Sequence, residues 1–166
     1  SVVLALSLAL GATAKQIDVV ELTIDEIQAA FAAGEYTAEE LVKAFLERIE
    51  IYEPTYNAFT FLNPNALEEA RAIDARRAAG EKLGPLAGIP IAIKEAMDVA
   101  GLPSTVGWPY MSSLSGGIDF IPATDAPVVA RLRAAGAIII GKTNIPQFSA
   151  AYNANNSWDG PTYSAI

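Results

Sequence analysis

Gly84-Pro85-Leu86-Ala87-Gly88-Ile89-Pro90-Ile91-Ala92-Ile93-Lys94-Glu95-Ala96-Met97-Asp98 is the stretch on which the reading of this chain turns. Glycines and prolines open it, a short apolar run rich in isoleucine follows, and one lysine stands at the end with acids behind it. A run of that length between turn residues predicts a buried strand. An ammonium adjoining such a strand must snorkel to water, find an anion or lose its proton. The third outcome makes a base. The residues alone leave all three open: a lysine after a strand is usually solvated, and Glu95 or Asp98 could simply pair with Lys94.

C-terminal to this strand, Met97 to Pro122 holds Gly, Ser and Pro with few periodic positions, which predicts a long connection of the kind that lines sites. A helix is expected to start near Thr124 or Asp125, run through Val128, Val129 and Leu132, and end at Gly136. The strand Ala137 to Ile140 follows, and Gly141 onward leaves it. Strand, long connection with helix, and strand again make a right-handed crossover unit of an α/β sheet. The tail from Tyr152 to Ile166 is polar, Asn-rich and aperiodic, so the chain is expected to be truncated there, with the sheet incomplete at its C-terminal end.

On the N-terminal side, Thr23-Ile24-Asp25-Glu26 and Thr37-Ala38-Glu39-Glu40 are capping boxes, so a helix starts at each. The first is expected to end at Gly34. The second carries Leu41, Phe45 and Ile49 on one face and is expected to stop at Pro54, which makes an N-terminal helical hairpin. Tyr56 to Leu62 predicts a strand, and Asn63-Pro64 is expected to cap a third helix through Leu67, Ala70 and Ile73 to Gly80.

At 166 residues, 52% hydrophobic and 18% charged, the chain can bury the core of a domain and is not of a disordered class. Eleven basic against nineteen acidic residues give a net charge of −8, which disfavours nucleic acid and anionic membrane surfaces as partners. Cys and His are absent, which excludes thiol nucleophiles, disulfides, structural zinc sites and histidine triads from these residues. Catalysis here must use Ser, Lys, carboxylates or backbone, and no metal or cofactor is expected. Ser1 to Leu10 is an apolar run followed by Gly11-Ala12-Thr13-Ala14, which predicts a secretory signal over residues 1–14, a secreted protein and no stable membrane anchor. Without an initiating Met or a basic leader, the chain is expected to be clipped at its start as well.

Gly136-Ala137-Ile138-Ile139-Ile140-Gly141-Lys142-Thr143 matches the phosphate-loop pattern G-x-x-x-x-G-K-[ST] by letter. That loop needs a strand before the first glycine, a flexible turn between the glycines and a helix after the Thr. Here a helix precedes, three isoleucines predict a strand between, and Pro146 follows. Nucleotide binding is rejected on context.

Several motifs together resemble the amidase signature family, over Leu22 to Ile166. They are Gly84-Pro85-Leu86-x-Gly88-Ile89-Pro90 with Lys94, then Asp98, Gly101, Thr105 and Gly107. Asp125-Ala126-Pro127-Val128-Val129-x-Arg131-Leu132-Arg133-x-Ala135-Gly136-Ala137 and Gly141-Lys142-Thr143-Asn144 follow in the family's order. The resemblance implies one amidase domain, of which residues 22–166 are the N-terminal part: a mixed, largely buried sheet flanked by helices. It implies amide hydrolysis by a Ser–Ser–Lys triad through an acyl-enzyme, on a small-molecule or peptide amide. Lys94 takes the lysine's role by position, and the two serines and the oxyanion hole belong to a later Gly/Ser-rich segment that this chain does not reach. Residues 1–166 alone are therefore expected to be inactive. A neutral lysine can serve as the base if burial lowers its pKa from about 10.4 toward 7 to 8, a desolvation that Ile91 and Ile93 are expected to supply.

Ser149, after Thr143-Asn144-x-Pro146-Gln147, matches a position that lines the acyl pocket in relatives, and an ordinary loop serine is the alternative. Glu95 and Trp108 depart from the commonest family letters. Ser112, Ser113 and Ser115 do not match the family's serine segment. Asn155-Asn156-Ser157 is a glycosylation sequon, meaningful only in a eukaryotic secretory route. Two alternatives to hydrolysis remain: membership of a transamidating complex that amidates aminoacyl-tRNA, as one of its subunits, and a non-catalytic binding protein on the same fold.

Overall fold

The computed structural model describes residues 16–150 together with the backbone of 155–156 and 160–161. The expected secretory segment, and the side chains of the sequon, lie outside the described residues. Helix α1 (Ile24–Ala33) and helix α2 (Ala38–Tyr56) both begin on the expected capping boxes. Glu26 N–H donates to Thr23 Oγ1 at 3.3 Å and Thr23 N–H to Glu26 Oε2 at 2.8 Å, and the same reciprocal pair joins Thr37 and Glu40. Gly34 ends α1 in the left-handed conformation, as expected.

Pro54 does not stop α2. It sits inside the last turn, where its missing N–H costs one bond, and the helix closes two residues later when Asn57 turns left-handed and donates to Glu53 O. The strand expected from Tyr56 therefore starts later, as β1 (Phe59–Leu62), with Phe59 N–H bonded to the Glu53 carboxylate at 2.7 Å. Asn63-Pro64 precedes helix α3 (Ala66–Ala78) rather than capping it. The Asn63 side chain bridges the helix start to the sheet: its Oδ1 accepts Asn65 N–H at 3.0 Å, while its Nδ2 donates to Ile139 O at 2.8 Å and to Glu69 Oε1 at 3.0 Å.

Strand β2 (Pro90–Lys94) is the expected strand. The chain then runs through two 3₁₀ turns, Pro109–Met111 and Ser113–Ser115, to helix α4 (Pro127–Ala134). The helix starts at Pro127, later than expected, because Asp125 does not cap it. Its carboxylate instead accepts Ala100 N–H at 2.7 Å and pairs with Arg133 Nε at 3.1 Å, tying the long connection to the far end of α4. Val128 is exposed and Val129 buried.

Strand β3 (Ile138–Thr143) also runs longer than expected: Gly141, Lys142 and Thr143 stay in the ladder instead of leaving it. It is the centre of a sheet ordered β1-β3-β2, antiparallel to β1 and parallel to β2, so the crossover connection and the mixed sheet are observed. Gly136 sits between α4 and β3 with φ 94°, and a Cβ there would lie 2.7 Å from Ala87 Cα. That contact lets Gly88 N–H reach Gly136 O at 3.1 Å and seats the Gly84–Gly88 turn on the end of α4. The phosphate-loop pattern is thus a helix end followed by a buried strand. In the tail, Asn155–Asn156 (β4) and Gly160–Pro161 (β5) form a two-residue antiparallel ladder.

Two cores flank the sheet. Ile27, Phe31, Ala38, Leu41, Val42, Ala66, Ala70, Ile89 and Ile138 join α1, α2 and α3 to the start of β2 and β3. Ile93, Val99, Leu102, Val129 and Ile139 join the sheet to α4 and the long connection. Asp74 and Arg77 of α3 lock the first core. Asp74 accepts the free amides of Ala38 and Glu39 at the start of α2, both at 2.9 Å. Arg77 pairs with Asp74 at 2.9 Å, donates to Ala87 O at 3.0 Å and lies 4.3 Å from the centre of the Phe31 ring. The turn that feeds β2 is held by that guanidinium.

Candidate active site

The site is built at the C-terminal ends of β2 and β3, where parallel strands leave side chains and carbonyls facing the loops. Lys94, last in β2, pairs in register with Thr143, last in β3. Along β2, Ile93 is buried while Ala92 and Lys94 are exposed, so the strand alternation puts Lys94 on the face opposite Ile91 and Ile93. Those two isoleucines, expected to desolvate the ammonium, pack with Val99, Leu102 and Val129 on the opposite face. Lys94 Nζ instead donates to the main-chain carbonyl of Asn144. Partial burial pulls the Lys94 pKa below the ordinary lysine value, and the neighbouring Glu95 carboxylate pulls the other way.

Asn144 is itself fixed. It is buried, its N–H donates to Ala58 O at 2.8 Å, its Nδ2 to Asn57 O at 3.2 Å, and its Oδ1 accepts Ile145 N–H at 2.8 Å. The carbonyl that meets Lys94 is therefore aimed by three bonds, two of them from the α2–β1 corner.

On the other side of the same strand ends lies a buried polar group. Lys142 and Glu95 are both fully buried, with Lys142 Nζ 3.9 Å from Glu95 Oε1. The ammonium donates to Pro103 O at 2.8 Å and bonds Ser104 Oγ at 2.6 Å. Glu95 Oε1 accepts both the main-chain N–H and the hydroxyl of Thr105, while its Oε2 has no hydrogen-bond partner among the described residues. Burial lowers the Lys142 pKa against the pull of Glu95 and Asp98. The Ser104–Lys142 contact has the spacing of a nucleophile and base, but both are shut from solvent and the lysine faces a carboxylate, so it cannot meet a substrate. Sequence reasoning passes over Lys142 because it belongs to the rejected phosphate-loop pattern. The β-branched Thr143 after it is the signal that the strand continues and carries the lysine inward.

Ser149 lies exposed just beyond β3, in the 3₁₀ turn Gln147–Ser149, where both Phe148 and Ser149 are left-handed. No hydrogen bond joins it to Lys94 among the described residues. Trp108 packs 5.7 Å from Phe148 and 5.4 Å from Tyr110, an aromatic rim directly beside Ser149. Gly107 makes that approach possible, because a Cβ there would lie 2.7 Å from Ile145 O. Ser112, Ser113 and Ser115 are tied into their own loop, to Leu114 N–H, the Asp119 carboxylate and Pro109 O respectively. Among the described residues no cluster of His, Cys, Asp or Glu could hold a metal ion, and no helix is long and apolar enough to cross a membrane.

The family model described as Amidase matches residues 40–166. A glutamyl-tRNA(Gln) amidotransferase subunit from Acidothermus cellulolyticus is 44% identical over 146 residues, covering 87% of this chain and 28% of that protein. Its counterpart from Chloroflexus aurantiacus is 47% identical over 137 residues, covering 82% of this chain and 27% of that protein. Among solved structures, the native peptide amidase of Stenotrophomonas maltophilia superposes with a TM-score of 0.76 at 31% identity, over 86% of this chain and 30% of that one. A fatty acid amide hydrolase gives 0.75 at 27% identity, over 86% and 24%. The chain thus spans a little over a quarter of the curated relatives it matches. With the family model matched over residues 40–166 and the fold shared with solved amidases, the chain belongs to the amidase signature family.

Proposed function

We propose that the protein hydrolyses amide bonds, with Lys94 as the base of a Ser–Ser–Lys triad whose serines come from the part of the domain these 166 residues do not span. The observation that carries this reading is the setting of Lys94: a strand-end amine with an accessible head, a pKa lowered by partial burial, and a fixed carbonyl as its partner. A neutral amine so held can take the proton of a serine hydroxyl as its oxygen attacks the amide carbon. The proton then passes to the departing nitrogen as the C–N bond breaks, and water cleaves the acyl ester. The Trp108–Phe148 rim and Ser149 stand beside this end of the sheet, and Ser149 is proposed to face the acyl group of a small-molecule or peptide amide. In the full-length protein, Lys94→Ala is expected to cut turnover about 1,000-fold or more with the unfolding midpoint unchanged. Turnover retained at a tenth of wild type would contradict the assignment. Residues 1–166 alone are proposed to be inactive, lacking nucleophile and oxyanion donors.

A second reading is favoured by one observation, the higher identity to the amidotransferase subunits, 44% and 47%, than to the peptide amidase, 31%. In it the same lysine chemistry releases ammonia from an amide donor for transfer. Glutaminase activity that appears only in the presence of partner subunits would select this reading, and hydrolysis by the protein alone would select the first. Secretion is part of the hydrolase proposal and rests on the apolar run Ser1–Leu10 with Gly11–Ala14. A tagged full-length protein found only in the cytosol would contradict it.

A further inference from the structure

The mechanism above leaves one buried charged pair unused, and it stands one residue from Lys94 along each strand. Glu95 follows Lys94 in the chain, and Lys142 precedes Thr143, the register partner of Lys94. Glu95 N–H donates to Thr143 O at 3.2 Å, so the two strand ends are joined by a bond immediately beyond Lys94. Below it, the Lys142 ammonium gathers Pro103 O, Ser104 Oγ and the Glu95 carboxylate, and Glu95 holds Thr105 by both its N–H and hydroxyl.

We propose that Lys142 is a positioning residue for Lys94: its buried ammonium clamps the ends of β2 and β3 to the 103–105 loop and offsets the Glu95 charge that adjoins the base. This rests on the reading of Lys94 as the base. A buried carboxylate beside a lysine favours the protonated, inactive amine, and a second cation on that carboxylate cancels the effect. The ionisable groups at this corner are Glu95 just past β2, Lys142 on β3 and Asp98 in the connection. From α2, Glu53 is tied to Phe59 N–H. The geometry gives Lys142 little other employment. With no solvent access it cannot touch a substrate, and apolar residues of its size would fill the space without capturing two loop acceptors.

The test uses the full-length protein and the pH dependence of kcat/KM on an amide substrate. Lys142→Met is expected to lower kcat about tenfold with KM within twofold, and to move the acidic limb to higher pH because Glu95 is left uncompensated. Lys142→Met with Glu95→Gln removes both charges and is expected to return the limb to its wild-type position. A folded Lys142→Met protein whose limb does not move, or moves to lower pH, overturns the proposal. Should Lys142→Met fail to fold, Glu95→Gln alone is expected to move the limb to lower pH, and an unmoved limb overturns it equally. Lys94→Ala, run beside these, separates the two claims: if it keeps turnover, the underlying reading fails. If it is inactive while the Lys142 and Glu95 variants leave the limb in place, only the positioning role fails.

Discussion

Two lysines stand at the ends of neighbouring strands of the same sheet, Lys94 last in β2 and Lys142 next to last in β3, yet they differ in burial and in their side-chain partners. Lys142 is completely buried, bonded to a carbonyl and a hydroxyl and close to a carboxylate. Lys94 is exposed, donates to one carbonyl, and has only Glu95 beside it in sequence. The phosphate-loop spelling points to Lys142, which is shut from solvent, whereas the amidase-signature resemblance points to Lys94. Which face of the strand the lysine occupies is the deciding variable. On one face a cation becomes a structural clamp, and on the other a lysine keeps a head that can exchange a proton with something arriving from outside.

The contrast can be broken most severely by exchanging the consequences of removing each lysine. Lys94→Ala is expected to abolish turnover while changing stability by less than about 0.5 kcal/mol, as for an exposed side chain, checked by urea unfolding beside the rate assay. Lys142→Ala is expected to do the reverse at the level of folding. Leaving Glu95 buried without its cation costs about 3 to 5 kcal/mol, read as a lower urea midpoint. If both variants lost stability equally, the division between clamp and base would fail.

Smaller effects sharpen the frame that carries the two strands. Gly136→Ala forces a left-handed alanine against Ala87 and is expected to cost about 1 to 3 kcal/mol, loosening the turn that feeds β2, measurable by thermal unfolding. Thr37→Ala removes one half of a capping box at the start of α2, far from either lysine. It is expected to cost about 1 kcal/mol and to leave the pH profile of the enzyme untouched.

Much of this arrangement was legible in the residues because its causes are local. Thr23 with Glu26 and Thr37 with Glu40 cap their helices through neighbours three residues away, and the β-branched run to Lys94 needs only its own composition to form a strand. What was not legible depends on partners distant in sequence. Asn63 looked like a cap, but its Oδ1 takes Asn65 N–H just before the helix while its Nδ2 ties to Ile139 O, and Asp125 looked like a cap but holds Ala100 and Arg133. Pro54 stayed in α2 because Asn57 and Glu53 complete the last turn beyond it. At the site, the position of Lys94 followed from the motif, but its surroundings did not. The isoleucines next to it in sequence point away, and the residue that meets it, Asn144, lies fifty positions on.

The division between the two lysines is tested most directly by titrating them in the full-length protein with lysine side chains carrying ¹³C at Cε, assigned by Lys94→Arg and Lys142→Arg. Lys94 is held below its unfolded value, so the native state carries fewer protons than the unfolded chain between the two values and gains stability as pH rises across that window. Its resonance is expected to titrate below the ordinary lysine value of about 10.4. A Lys94 resonance that titrates at or above that value would contradict its assignment as the base.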